Sequence, residues 1–272
     1  MNDSLLFIKN FNSELKLYMW KGKIKMTIPK KIHYCWFGET PKSKTMEKYI
    51  SHWKEKTGYE IIEWNEKNFD VNSHPFSKKS YKQKKFAFLS DFVRLKVIYE
   101  YGGIYLDTDV ELKKSFDEFL NNNMFLGFMF DCTLSTAVFG ANAHNEIIKE
   151  LLDLYEEDPY IENFNNNELF TKFFIKKFPQ LKLNNKTQVI KSETNSIVIY
   201  PKEYFERPTY NKNMGYSVHH YNGSWYNKKV GTIRKCIKFI MGEVLYGKLS
   251  HRRALVTSPF YKIYLNHKRQ NN

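Results

Sequence analysis

Between Lys31 and Trp64 the chain switches from a β-branched and aromatic run to a helical run and back, an order that few folds accommodate. Lys31 to Phe37 reads as a strand that ends at Gly38 and Pro41. From Ser43 the apolar residues Met46, Ile50 and Trp53 recur at the spacing of one helix face, and Gly58 stands where a left-handed cap would close that helix. Tyr59 to Trp64 then returns to strand composition. Strand, helix, strand is a βαβ unit, which requires parallel strands and a right-handed crossover.

The same alternation continues downstream. A long helix is predicted from about Tyr81 to Tyr101, with Phe88, Phe92, Leu95 and Tyr99 on one stripe and Gly102-Gly103 ending it. Ile104 to Asp107 follows as a short apolar strand, and Lys78, Lys79, Lys82, Lys84 and Lys85 read as the solvated start of the helix. Met124 to Phe130 and Leu134 to Phe139 read as strands, Glu146 to Tyr155 and Glu168 to Phe178 as helices, and Ile197 to Tyr200 as the last strand before Pro201. The predicted class is α/β, with a Rossmann-like, mostly parallel central sheet and helices on both faces. With 272 residues, 42% of them hydrophobic and 17% aromatic, the chain can fill one sizeable core, which excludes disorder for most of its length.

Charge and cysteines narrow the function. Lys plus Arg number 43 against 29 Asp plus Glu, an excess of 14. Residues 228–272 hold eleven of the basic residues and the single acid Glu243, so the basic character belongs mainly to one appendage. The predicted organisation is an N-terminal extension over 1–25, a catalytic domain over 26–227 and a basic helical tail over 228–272. Cys35, Cys132 and Cys236 are far apart and odd in number, which fits neither a disulfide framework nor a paired-cysteine zinc site. No apolar run nears the roughly 20 residues of a spanning helix, and no secretory signal is evident, so a cytoplasmic protein is expected.

The strongest chemical signal is Ile104-Tyr105-Leu106-Asp107-Thr108-Asp109, an apolar strand that ends in two acids one residue apart. Carboxylates at the carboxyl end of a strand lie at the rim of an open α/β sheet, where ligands bind, and they suit hard cations such as Mg or Mn. Asp91 and Arg94 are neighbours on one helix face, and that helix feeds through Gly102-Gly103 into the acidic strand. An Asp there can accept from sugar hydroxyls and an Arg can pair with phosphate oxygens. Near the other end lies His219-His220-Tyr221-Asn222-Gly223-Ser224-Trp225, which offers imidazole, hydroxyl and indole N–H groups.

Taken in order, Ile28 to Gly38, Tyr59 to Asn65, Ser90 to Arg94, Tyr101 to Asp109 and His219 to Trp225 resemble the family 32 glycosyltransferases. That family holds DXD-containing sugar transferases, including capsular and lipopolysaccharide enzymes, and is similar to the catalytic domain of clostridial glucosylating toxins. The resemblance implies a GT-A fold, a nucleotide-sugar donor, UDP-linked by preference, a divalent metal (Mn or Mg) and transfer with retention. It implies that Trp36 stacks on the base, that Asp91 binds the sugar and that Arg94 binds sugar or diphosphate. Tyr105 would line the nucleotide site, Asp107 would contact ribose, sugar or metal, and Asp109 would ligate the metal. His220 and Ser224 would complete the metal shell, and Trp225 would donate to the β-phosphate. Gly38 is followed here by Glu39 where relatives often carry a second glycine, and the toxins have an acid where His220 stands.

The expected acceptor is a surface glycan or lipid-linked oligosaccharide, with a protein side chain as the toxin-like alternative. Ile233, Ile237, Ile240 and Val244 form an apolar stripe among basic residues of the tail, which fits equally a helix on an anionic membrane, with a peripheral place at the inner face of the cell membrane, and a C-terminal helix that packs its stripe on the domain and turns its lysines to water. A nucleic-acid-binding protein using that tail is the rival of another class. It leaves Asp107, Asp109 and the Gly-Ser-Trp segment unexplained, so no nucleic-acid partner is expected.

Overall fold

A computed structural model describes residues 27–157, 161, 165–191, 196–206, 215–221, 241, 245 and 248–269. The N-terminal extension, Ser224, Trp225 and the apolar stripe at 233–244 lie outside the described residues.

The chain opens with β1 (Lys31–Cys35), α1 (Lys44–Thr57) and β2 (Glu60–Trp64). Ser43 caps α1 by accepting from the Met46 N–H, and Gly58 closes it with φ of 67°. Next come α2 (Pro75–Lys82), α3 (Phe86–Tyr101), β3 (Gly103–Leu106), β4 (Val110–Leu112), β5 (Met124–Phe130) and β6 (Thr133–Ala141). They are followed by α4 (Glu146–Glu157), α5 (Asn166–Lys177), β7 (Gln188–Lys191), β8 (Ser196–Tyr200), α6 (Lys202–Phe205), β9 (Ser217–His219) and α7 (Tyr261–Arg269).

Seven strands form one sheet in the order β2-β1-β3-β6-β5-β8-β7. The β1 pairings with β2 and β3 are parallel, as is β5 with β8, and β6 and β7 run against their neighbours. Five of the seven strands therefore point the same way, which is the mostly parallel α/β sheet expected.

Strand alternation sorts the interior into two cores. Cys35, Tyr105, Leu126 and Phe139 pack with Phe92, Val93 and Phe170 of α3 and α5 on one face, while Ile32, Tyr34, Ile104, Leu106 and Phe125 pack with Trp53 of α1 on the other. The fully buried Trp53 also donates its indole N–H to the Val110 carbonyl at 2.9 Å, so α1 fixes the start of β4 as well as covering the sheet. Truncating such a side chain costs about 3–5 kcal/mol.

The expected long helix is two helices. Lys84 takes φ of 55°, a left-handed turn that ends α2 and lets α3 start afresh at Phe86. The passage from α3 into β3 does use the glycine pair. Gly102 and Gly103 have φ of 60° and 111°, and a Cβ on Gly103 would sit 2.9 Å from His33 Nε2. Three short strands went unpredicted: β7 at the edge of the main sheet, and β4 and β9, which pair antiparallel outside it with Val110 opposite His219.

Candidate active site

The site lies where β3 runs out. Leu106 is the last residue of that strand, and Asp107 continues it, its N–H donating to the Ala137 carbonyl at 2.9 Å. Since β1 and β3 are parallel, with His33 opposite Tyr105, the carboxyl end of β1 with Trp36 just beyond it opens on the same rim as Asp107.

Arg94 organises the acids from beneath. Only 5% exposed, it pairs through Nη2 with Asp91 at 2.9 Å and with Asp107 at 3.4 Å. Its Nη1 donates to the Thr136 carbonyl at 2.9 Å and its Nε to the Ser90 carbonyl at 3.2 Å. The guanidinium also lies 4.5 Å from the Tyr105 ring centre, and the Tyr105 hydroxyl donates to Asp107 at 3.1 Å. Arg94 is thus committed to acceptors within the chain, and it orders the two aspartates; contact with a diphosphate would require it to release one of them. Tyr105, 1% exposed, supports Arg94 and Asp107 from inside the fold. Burial pushes the Asp91 and Asp107 carboxyls above their ordinary values, with Arg94 pulling both back.

Asp109 and His219 complete the cluster. The β4–β9 register brings His219 beside Asp109, with Nε2 3.2 Å from Oδ1, and the His220 N–H donates to the Asp109 carbonyl at 3.1 Å. On its other side, His219 Nδ1 meets Glu206 at 2.9 Å. Burial alone would lower the His219 value, but Glu206 and Asp109 overcome it and hold the imidazole well above its usual range. Asp107, Asp109 and His219 each offer one ligand atom, all within 4.8 Å of one another. Two carboxylate oxygens and one imidazole nitrogen, reachable from the sheet rim, fit a hard divalent cation such as Mn or Mg.

The expectation placed His220 in that set, and the structure turns it elsewhere. Adjacent residues along an extended segment face opposite ways, so His220 Nε2 meets Glu111 at 3.0 Å and its ring stacks on Tyr49 with centres 5.0 Å apart. His219 stands beside the aspartates instead. Trp36 is half-buried, with its indole N–H donating to the Thr40 carbonyl at 2.6 Å and the Lys42 ammonium 5.7 Å from its ring centre. In the loop that follows, Glu39 has φ of 54°, a left-handed conformation that explains why a glycine suits this position. Glu206 and Thr136 carry no sequence signal, since each reaches the site only through tertiary packing.

Residues 42–126 match the family described as "glycosyltransferase sugar-binding region containing DXD motif", a span that includes Asp91, Arg94, Asp107 and Asp109. The "Subversion of eukaryotic traffic protein A" of Legionella pneumophila is 26% identical over 165 residues, covering 48% of this chain and 25% of that protein. The chain therefore spans about a quarter of the length of that curated relative. Among solved structures, the PaToxG glycosyltransferase gives a TM-score of 0.48 at 18% identity, covering 63% of this chain and 76% of its own. A glycosyltransferase involved in glycosylation of the major capsid of PBCV-1 gives 0.40 at 14% identity, covering 71% and 94%.

Proposed function

We propose that this chain is a DXD-containing glycosyltransferase that transfers a hexose from a nucleoside-diphosphate sugar, UDP-linked by preference, with retention of anomeric configuration. The observation that carries the reading is the convergence of Asp107, Asp109 and His219 within 4.8 Å of one another beside the Asp91–Arg94 pair.

Asp107, Asp109 and His219 hold the divalent cation, Mn or Mg, in this reading. Bound there, the cation would neutralise charge on the diphosphate leaving group. Arg94 keeps Asp91 and Asp107 apart and oriented, so Asp91 is left with oxygen lone pairs for sugar hydroxyls. Trp36 stacks on the base, far from the reacting carbon, and so positions the donor. Ser224 and Trp225 are assigned to the cation shell and the β-phosphate from the family resemblance.

The acceptor we propose is a surface glycan on a lipid carrier. A helical stretch at 248–257 exposes Leu249 and Val256 together with Arg252 and Arg253, which supports a peripheral position on an anionic membrane, and no helix among the described residues is long and apolar enough to cross one.

Incubation with Mn and a panel of UDP- and GDP-sugars tests the donor reaction through release of free nucleotide. One donor is expected to be hydrolysed slowly, with Asp109→Ala reducing the rate by about 10³-fold. No release from any donor, together with tight and salt-sensitive binding of DNA or RNA, would replace this reading with the nucleic-acid one. Labelled sugar appearing on protein rather than on lipid-linked glycan would move the acceptor to the toxin-like alternative.

A further inference from the structure

We infer that Glu206 is the positioning residue that presents His219 to the cation. The inference rests on the reading of His219 as a ligand and extends it to a side chain that no motif marks.

Glu206 is 1% exposed, and a buried carboxylate persists only where donors surround it. Three side chains supply them. Ser135, in the middle of β6, donates to Oε1; the Tyr221 hydroxyl donates to Oε2; and His219 Nδ1 lies 2.9 Å from Oε2. The backbone repeats the tie, since the His219 N–H donates to the Glu206 carbonyl at 2.8 Å. Glu206 is itself set by α6, its N–H returning to the Lys202 carbonyl at 2.8 Å, and the Ser217 hydroxyl binds the Phe205 carbonyl at 2.7 Å.

The consequence for His219 is geometric. An imidazole that gives its Nδ1–H to a carboxylate keeps the proton on that nitrogen and leaves the Nε2 lone pair for a metal. Nε2 is the atom that faces Asp109, 3.2 Å away. The ring is also held from the side, stacked on Tyr221 with centres 4.0 Å apart. Tyr221 itself takes φ of 52°. Glu206 therefore fixes the tautomer and the tilt of the ring, and it contacts neither Asp107 nor Asp109 among the hydrogen bonds described.

Mn²⁺ binding to the full chain without donor, followed by electron paramagnetic resonance, separates positioning from mere stability. Glu206→Gln keeps the shape but weakens the hold on Nδ1–H, and it is expected to lower Mn²⁺ affinity about 10- to 100-fold. In a His219→Ala background the same change is expected to add nothing, because the residue it acts through is gone. If Glu206→Gln does not fold, Glu206→Asp takes its place: it keeps the charge, withdraws from Nδ1 and should show the same loss. Wild-type affinity in the folded variant, or an equal loss with and without His219, overturns the inference while leaving the donor reaction standing. A wild-type protein that binds no Mn²⁺ overturns both.

Discussion

His33 and His219 are two imidazoles in the same molecule whose surroundings push their protonation in opposite directions. His33, 0% exposed, sits between β1 and the glycine pair, with Nε2 at 2.9 Å from the Gly102 carbonyl and Nδ1 accepting from the Trp64 indole at 3.0 Å. Its partners are neutral, and burial lowers it from the ordinary value to about 4. His219 is half-buried, and Glu206 and Asp109 flank it and raise it. Burial pushes both rings the same way; the carboxylates of Glu206 and Asp109 reverse the direction for His219. The ring that burial disfavours for protonation braces the entry to β3, and the one flanked by carboxylates stands at its exit, beside the proposed cation site.

The comparison can be broken in four ways. His33→Leu strands the Trp64 N–H and the Gly102 carbonyl inside the protein, and should cost about 4 kcal/mol in denaturant unfolding. A loss under 1 kcal/mol would mean that the brace is idle. The wild-type protein should lose about 3 kcal/mol between pH 6.5 and pH 4 on account of His33. In that window the unfolded imidazole takes a proton that the folded one refuses, so stability is complete above pH 6.5 and falls on acidification; the slope should shrink in His33→Leu. His219→Ala should slow nucleotide release about 10²-fold, near 2.7 kcal/mol, while His33→Leu leaves turnover per folded molecule within about threefold. Equal losses in both variants would erase the distinction. The smallest effect concerns a third histidine, His74, whose Nε2 lies 2.9 Å from an exposed Glu156. Glu156→Ala should change stability by no more than about 0.5 kcal/mol in thermal unfolding, because a solvated acid contributes little. A cost above 2 kcal/mol would show that the acid's exposure is irrelevant.

Legibility along the chain followed the range of the interactions. β1, α1 and β2 could be read because Ser43, Gly58 and the Met46, Ile50, Trp53 stripe act within a few residues of themselves. The step from α3 into β3 was visible because only glycine tolerates both its backbone and its neighbours. The break at Lys84 was hidden, since Lys82, Gln83, Lys84 and Lys85 are all helix formers and the left-handed turn is imposed from outside. β4 and β9 have three residues each, too few to show alternation, and they pair across more than a hundred positions. For the same reason sequence could place two aspartates on a rim but pointed to His220, whereas the structure sets His219 beside them. That choice depends on which face of β9 meets β4. Glu206 was further out of reach, being defined only by Ser135, His219 and Tyr221 gathered around it.

The small β4–β9 ribbon has a consequence for how the protein comes to life. It joins the segment after β3 to one more than a hundred residues later, so the proposed cation site gains its imidazole only through a long-range pairing. Contacts of that sequence separation carry a loop-closure cost, so this corner is expected to form among the later parts of the fold.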